Sequence, residues 1–199
     1  MPEILLFVED SAQEAFLTAL VRRIAAESGA PDLRIRVRSA QGGFAKVLGQ
    51  VEDFVRGQSK GLESFPDALL VAGDANCQGF VQRRKQVEGR TGALKDSFIY
   101  AIPDPHIERW FLIDSAAFKT VLGRGCSAPD QKCEKDRYKR LLNQAVLDAG
   151  VEPLLGGVEY AEEIVQNMNL QNASKQDDSF GRFLGELRRF LNQCKSVEN

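Results

Sequence analysis

Residues 4–14, Ile4-Leu5-Leu6-Phe7-Val8-Glu9-Asp10-Ser11-Ala12-Gln13-Glu14, decide how the rest of the chain is read. The opening run of apolar residues is far too short to cross a bilayer. It also lacks the polar alternation of a half-exposed strand, so it reads as a strand covered on both faces. Glu9 and Asp10 end it. Ala12, Ala15, Phe16, Ala19, Leu20 and Ile24 then recur at helical spacing, with Ser11 as the expected N-cap and Gly29 as the stop. A doubly covered strand running directly into a helix is the first unit of a sheet with crossover connections.

The pattern repeats downstream. Leu33, Ile35 and Val37 alternate with Arg34, Arg36 and Arg38, which puts three guanidinium groups on one face of a strand expected near a sheet edge. A helix is expected across Phe44 to Val55, then a fully apolar strand over Ala68 to Ala72 that stops at Gly73-Asp74. A helix from Gly79 to Glu88, a Gly-containing loop and a buried strand over Phe98 to Ile102 follow. Asp104 is placed to cap the next helix with Pro105 at its first position, and Ile107, Trp110 and Phe111 form that helix's buried stripe. Beyond Gly125 helical patterns take over, around 138–147, 161–168 and 180–191, with the Asn-, Ser- and Asp-rich stretch 171–178 expected as a loop.

The expected class is therefore α/β: a central, mostly parallel sheet flanked by helices, with a helical C-terminal portion. Residues 1–124 would form the sheet core and residues 125–199 a helical extension packed on the same domain; a chain of 199 residues fits one such domain. With 26 Lys and Arg against 28 Asp and Glu, the net charge of −2 gives no general attraction to a polyanion, so any nucleic-acid contact must use a local patch. No apolar run suits a membrane span and no leader pattern opens the chain, so a cytoplasmic location is expected. Cys77, Cys126, Cys133 and Cys194 form no Cys-x-x-Cys pair and stand far in sequence from His106, which argues against zinc; all four are expected to be reduced thiols.

Acids gather where strands end. Glu9 and Asp10 follow the first strand, Asp74 and Asn76 the third, and the fourth leads through Asp104 to Glu108, while Glu14 lies one turn into the first helix. Ligands of open α/β sheets bind beyond the carboxyl ends of the strands. Hard oxygen donors collected there suit Mg2+ or Mn2+, and such an ion serves phosphodiester chemistry. Singly, each of these acids is explained as well by helix capping or by the helix dipole; their convergence carries the metal reading.

Three segments, Phe7 to Glu14, Val71 to Asn76 and Pro103 to Leu112, resemble the topoisomerase-primase (TOPRIM) fold. The likeness is greatest to TOPRIM nucleases of the overcoming-lysogenization-defect type and their short relatives. Glu9 matches the glutamate that ends the family's first strand, Glu14 the glutamate one turn later, Asp74 and Asn76 the Asp-x-Asp after the third strand, and Glu108-Arg109-Trp110 a proline-led Glu-x-Trp segment. Asp10 stands where the family usually has glycine, and Asn76 replaces an acid.

The resemblance implies a Rossmann-like TOPRIM fold and a Mg2+-dependent nuclease, with Glu9, Asp74 and Glu108 catalytic and Glu9, Glu14, Asp74 and Asn76 as metal ligands. It also implies an anti-phage setting with an ABC- or AAA-type ATPase as a separate chain, since no GxxxxGK[ST] loop occurs here.

Arg83, Arg84 and Lys85 follow the Asp74 loop and are the expected phosphate contacts, against the plainer reading of a solvated helix face. His106 could exchange protons near neutral pH or simply start a helix. Tyr138 with Lys135, Arg137, Lys139 and Arg140 could face nucleic acid or solvent. Two other functions stay open: an inactive regulatory or binding subunit, and a receiver-like signalling domain phosphorylated on Asp74; on any of these readings the chain could form a homo-oligomer.

Overall fold

In the computed structural model, which describes residues 1–61, 64–91, 94 and 97–197, four parallel strands form one sheet flanked by helices. The strands are β1 (Glu3–Val8), β2 (Arg34–Ser39), β3 (Ala68–Ala72) and β4 (Phe98–Ala101), in the spatial order β2-β1-β3-β4. The helices are α1 (Ser11–Glu27), α2 (Phe44–Ser59), α3 (Gly79–Thr91), α4 (Ile107–Leu112), α5 (Ser115–Leu122), α6 (Arg137–Asp148), α7 (Ala161–Asn167), α8 (Leu170–Gln176) and α9 (Asp178–Val197). The expected α/β, Rossmann-like class is observed, and β2, with its arginines, is an edge strand. The loop between α3 and β4 lies partly outside the described residues.

Every central strand is apolar on both faces because both faces are covered. Ile4, Leu6, Leu70 and Ile99 pack with α1 and the C-terminal helices. Leu5, Phe7, Leu69 and Tyr100 pack with Val47, Val51 and Phe54 of α2 and Val87 of α3. Period-two side-chain alternation thus splits each strand between two cores. The first core is continuous across the expected boundary near residue 124, since Phe16 of α1, Trp110 of α4 and Phe180 and Phe183 of α9 share it, with Trp110 stacked on Phe183 at 5.8 Å. On the β4 side, Glu186 of α9 accepts the Tyr100 N–H at 3.0 Å and so satisfies a donor on the sheet edge.

Four local expectations are corrected. Asp10, not Ser11, is the N-cap of α1, its carboxylate accepting the Gln13 N–H at 3.1 Å. Asp104 does not cap α4: Ala75 N donates to Pro103 O and Asn76 N to Pro105 O, so the Pro103–Pro105 segment runs beside the β3 turn and helix α4 starts only at Ile107. Residues 170–176 are helical rather than loop, because Asn169 caps the segment and Leu170 and Ala173 bury an apolar edge beneath its polar face. Cys77 and Cys133 are joined in a disulfide, with Cα atoms 5.5 Å apart, while Cys126 and Cys194 are thiols. A contact between residues 56 apart in sequence has no signature in spacing.

Candidate metal centre

The site lies where the connections from β1 and β3 diverge, with α1 on one face of the sheet and α2 on the other. Phe7 pairs with Val71, and two residues further along each strand stand Glu9 and Gly73. Glu9 Oε1 accepts the Asp74 N–H at 2.9 Å, so the two strand ends are tied through their own site residues. Gly73 is required there: a Cβ would overlap the Phe44 ring and stand 3.2 Å from Glu9 Oε1.

Gln13, fully buried on α1, braces the junction. Its Oε1 accepts the Glu9 N–H at 2.9 Å and its Nε2 donates to Asp74 Oδ1 at 3.1 Å. Asp74 Oδ1 also accepts the Ile107 N–H at 3.1 Å, so the carboxylate supplies the cap that α4 lacks from its own sequence. Asp74 Oδ2 meets His106 Nδ1 at 2.8 Å.

Asp74, His106 and Glu108 each present one ligand atom, and these atoms lie within 4.8 Å of one another. Glu108, only 2% exposed, comes from the first turn of α4. Its Oε2 is buried without a hydrogen-bond partner among the described residues, and its Oε1 stands 3.9 Å from Lys139 Nζ. Burial first, and the Asp74 carboxylate second, push the Glu108 carboxyl up to about 7. The same two causes raise Glu9 to about 7. His106 is raised by its bond to Asp74, against burial.

These groups open onto a cleft of about 510 Å³ that Glu9, Asp74, Asn76, His106 and Glu108 line on one side. Its other walls are the Gln41–Gly43 loop before α2 and the stretch from Cys133 through Lys139. Asn76 holds a left-handed backbone (φ 44°) on the rim, a conformation asparagine tolerates well.

The remaining sequence candidates lie elsewhere. Glu14 faces a separate groove between α1 and residues 155–162, since it is one position past the helix face that carries Gln13. Arg83, Arg84 and Lys85 do not line the cleft. Arg83 is buried behind it, donating from Nε to Asp74 O at 2.8 Å and stacked 4.6 Å over the Phe44 ring. Arg84 pairs with Glu88 and covers Tyr100, and Lys85 is exposed on α3. An α-helix turns about 100° per residue, so three successive cations cannot share one target.

Among the described residues, the Lys and Arg side chains that line the cleft are Lys135 and Lys139. No sequence motif singles out Gln13, and by sequence His106 is more readily a polar helix-start residue than a proton carrier. The available signal was position: Gln13 stands in the first turn of α1, four residues after Glu9, and His106 sits two before Glu108.

A family model described as a domain of unknown function, DUF4276, matches residues 8–188, a stretch that includes Glu9, Gln13, Asp74, His106 and Glu108. No curated protein and no solved structure matches the chain.

Proposed function

We propose that this chain, which belongs to the DUF4276 family of domains of unknown function, is a divalent-cation-dependent phosphodiesterase acting on DNA or RNA, of the TOPRIM nuclease kind. The observation that carries the reading is Glu108 Oε2. A buried carboxylate oxygen without a donor, beside a second carboxylate, is costly in the ionised state unless a cation meets it. Acidic clusters are common, but an orphaned acceptor inside one asks for a ligand.

Asp74, His106 and Glu108 would hold the ion, with Glu9 beside them and the Asn76 amide on the rim. Two carboxylates and an imidazole suit Mn2+ at least as well as Mg2+. Such an ion, when bound, supplies Lewis acidity toward a phosphoryl oxygen. The chain itself does the positioning. Gln13 and the Ile107 N–H fix the Asp74 carboxylate, and Asp74 in turn orients the His106 ring, leaving Nε2 toward ligand or proton. Lys135 and Lys139, not Arg83 to Lys85, would contact substrate phosphates. An ATPase partner in a separate chain and an anti-phage role rest on the TOPRIM resemblance, and a cytoplasmic setting rests on the short apolar runs of the sequence. No helix among the described residues is long and apolar enough to cross a membrane.

One observation favours a second reading, an inactive regulatory subunit: Asp74 has a structural role as the cap of α4. Calorimetric titration with Mn2+ and a cleavage assay on labelled DNA and RNA, alone and with the partner, separate the two. The proposed function expects Mn2+ binding and cleavage that Asp74→Ala abolishes. Absence of Mn2+ binding, or cleavage that survives the substitution, would leave the regulatory reading. The receiver-like reading has less support, because the strand that ends at Ile102-Pro103 carries no Ser or Thr switch and Asp74 is buried. No gain in mass with acetyl phosphate is expected.

A further inference from the structure

We propose that Cys77 and Cys133 are a thiol–disulfide exchange site that fastens and releases one wall of the cleft. The consequence for nucleic acid rests on the phosphodiesterase reading; the exchange itself does not.

Cys77 lies three residues after Asp74, in a turn where both Asn76 and Cys77 have positive φ (44° and 66°). Cys133 lies in the irregular stretch between α5 and α6, two residues before Lys135. Both cysteines line the cleft. They thus join the loop that presents the candidate metal ligand to the strap that presents a cleft lysine.

The strap's other bonds run the opposite way. Asp130 O and Lys132 N meet the Tyr138 hydroxyl, Asp130 pairs with Arg137, Glu134 pairs with Arg140, and Arg109 Nε donates to Pro129 O. All of these tie the strap to α4 and α6. Among the described residues, the disulfide is the one bond between the strap and the turn after β3. Breaking it frees that side of the strap while its attachment to α6 persists.

Access is open, since both cysteines are exposed. Exposed disulfides are the readily reduced ones, in contrast to structural disulfides buried in a core. The reacting partner is a dithiol. One of its thiolates attacks a sulfur of the disulfide, giving a mixed disulfide and one protein thiolate. Its second thiol then displaces the other protein sulfur. Two electrons and two protons pass to Cys77 and Cys133, and the partner leaves as its own disulfide. A disulfide oxidant runs the exchange backwards.

The metal ligands do not depend on this bond. Asp74 is held by Gln13 and Ile107, and Glu9 by the Asp74 N–H. Reduction therefore acts on the wall and on substrate grip, leaving the ion site in place.

The test compares the full chain, oxidised and after treatment with dithiothreitol. Amide exchange over residues 127–136 should speed up by about tenfold or more on reduction, with no change in β1 or β3. Affinity for a fluorescein-labelled single-stranded oligonucleotide should fall about fivefold or more, a typical coupling between two sites. Mn2+ affinity should stay the same.

Cys77→Ser and Cys133→Ser, both at exposed positions, should match the reduced protein and ignore dithiothreitol. Alkylation of Cys77 or Cys133 in the untreated, air-oxidised protein, or exchange rates insensitive to reductant, would overturn the proposal. If exchange switches as stated but Mn2+ never binds, the redox site stands and the phosphodiesterase reading fails.

Discussion

His106 Nδ1 stands 2.8 Å from Asp74 Oδ2, so the one imidazole of the chain is aimed by the carboxylate at the end of β3. A partner of this kind fixes the tautomer and orientation of a ligand histidine, and losing even such a partner lowers metal affinity about 10–100-fold. His106→Ala removes the ligand itself and should weaken Mn2+ binding by at least about that factor in calorimetry, with the fold intact by circular dichroism. Unchanged affinity would remove His106 from the ligand set.

Glu108 tests the orphaned oxygen directly. Glu108→Gln keeps the shape and removes the charge from a group that burial disfavours. The metal-free variant should melt at a higher temperature than the parent, and it should lose most Mn2+ affinity. A variant that loses stability yet still binds Mn2+ would show that Glu108 serves packing alone.

The pH dependence of stability has a definite sign. Glu9 and Glu108 titrate near 7 in the fold, against an ordinary value of 4.5. The folded protein thus holds protons that the unfolded chain has released, and stability must fall as pH rises from about 5 to about 7. His106, also raised, contributes in the same direction: its stabilisation is full below its ordinary value of 6.5 and is lost as pH climbs through the raised one. Melting of the metal-free protein should therefore drop across pH 5 to 8. Added Mn2+ should restore most of the loss at the alkaline end, because it binds the folded state. A melting temperature that rises over this range contradicts the assigned environments.

Gly73→Ala should disturb fold and site together. Its Cβ meets Phe44 and crowds Glu9, so a loss of about 1–3 kcal/mol in denaturant unfolding is expected, as for other overpacked cores. Weaker Mn2+ binding should accompany it. Full stability with an unaltered site would mean that Phe44 moves aside without cost.

Arg109 and Asp177 form a buried ion pair that joins α4 to the start of α9, with side chains 7% and 0% exposed. Asp177→Ala leaves a buried guanidinium without its partner and should cost about 3–5 kcal/mol. Asp177 also accepts the Phe180 N–H at 2.8 Å, so fraying of α9 should appear in amide exchange. A change below about 1 kcal/mol, the range of an exposed pair, would contradict the burial.

The sheet was legible in sequence because its signal is local. Five apolar residues in a row at Ile4 to Val8 and at Ala68 to Ala72 have few ways to be buried other than as central strands, and Arg34, Arg36 and Arg38 announce an edge. The convergence of Glu9, Asp74 and Glu108 followed from the same strands, since acids at successive strand ends share one side of a parallel sheet.

Direction around a helix was not legible at single-residue precision. Glu14 and Gln13 are neighbours in sequence, yet one faces an outer groove and the other binds Asp74. Arg83 to Lys85 fell to the same geometry.

By itself, then, the sequence determined the class of fold, the order of its strands along the chain and which strand ends carry carboxylates, because hydrophobic periodicity and turn residues act over a few neighbours. Only the tertiary structure decided that Gln13 braces Asp74, that Asp74 caps α4 from another element, that His106 joins the acids and that Cys77 meets Cys133. Each of these is a contact between residues far apart in the chain. Such contacts depend on the angles and registers at which packed elements settle, and local sequence does not encode those angles.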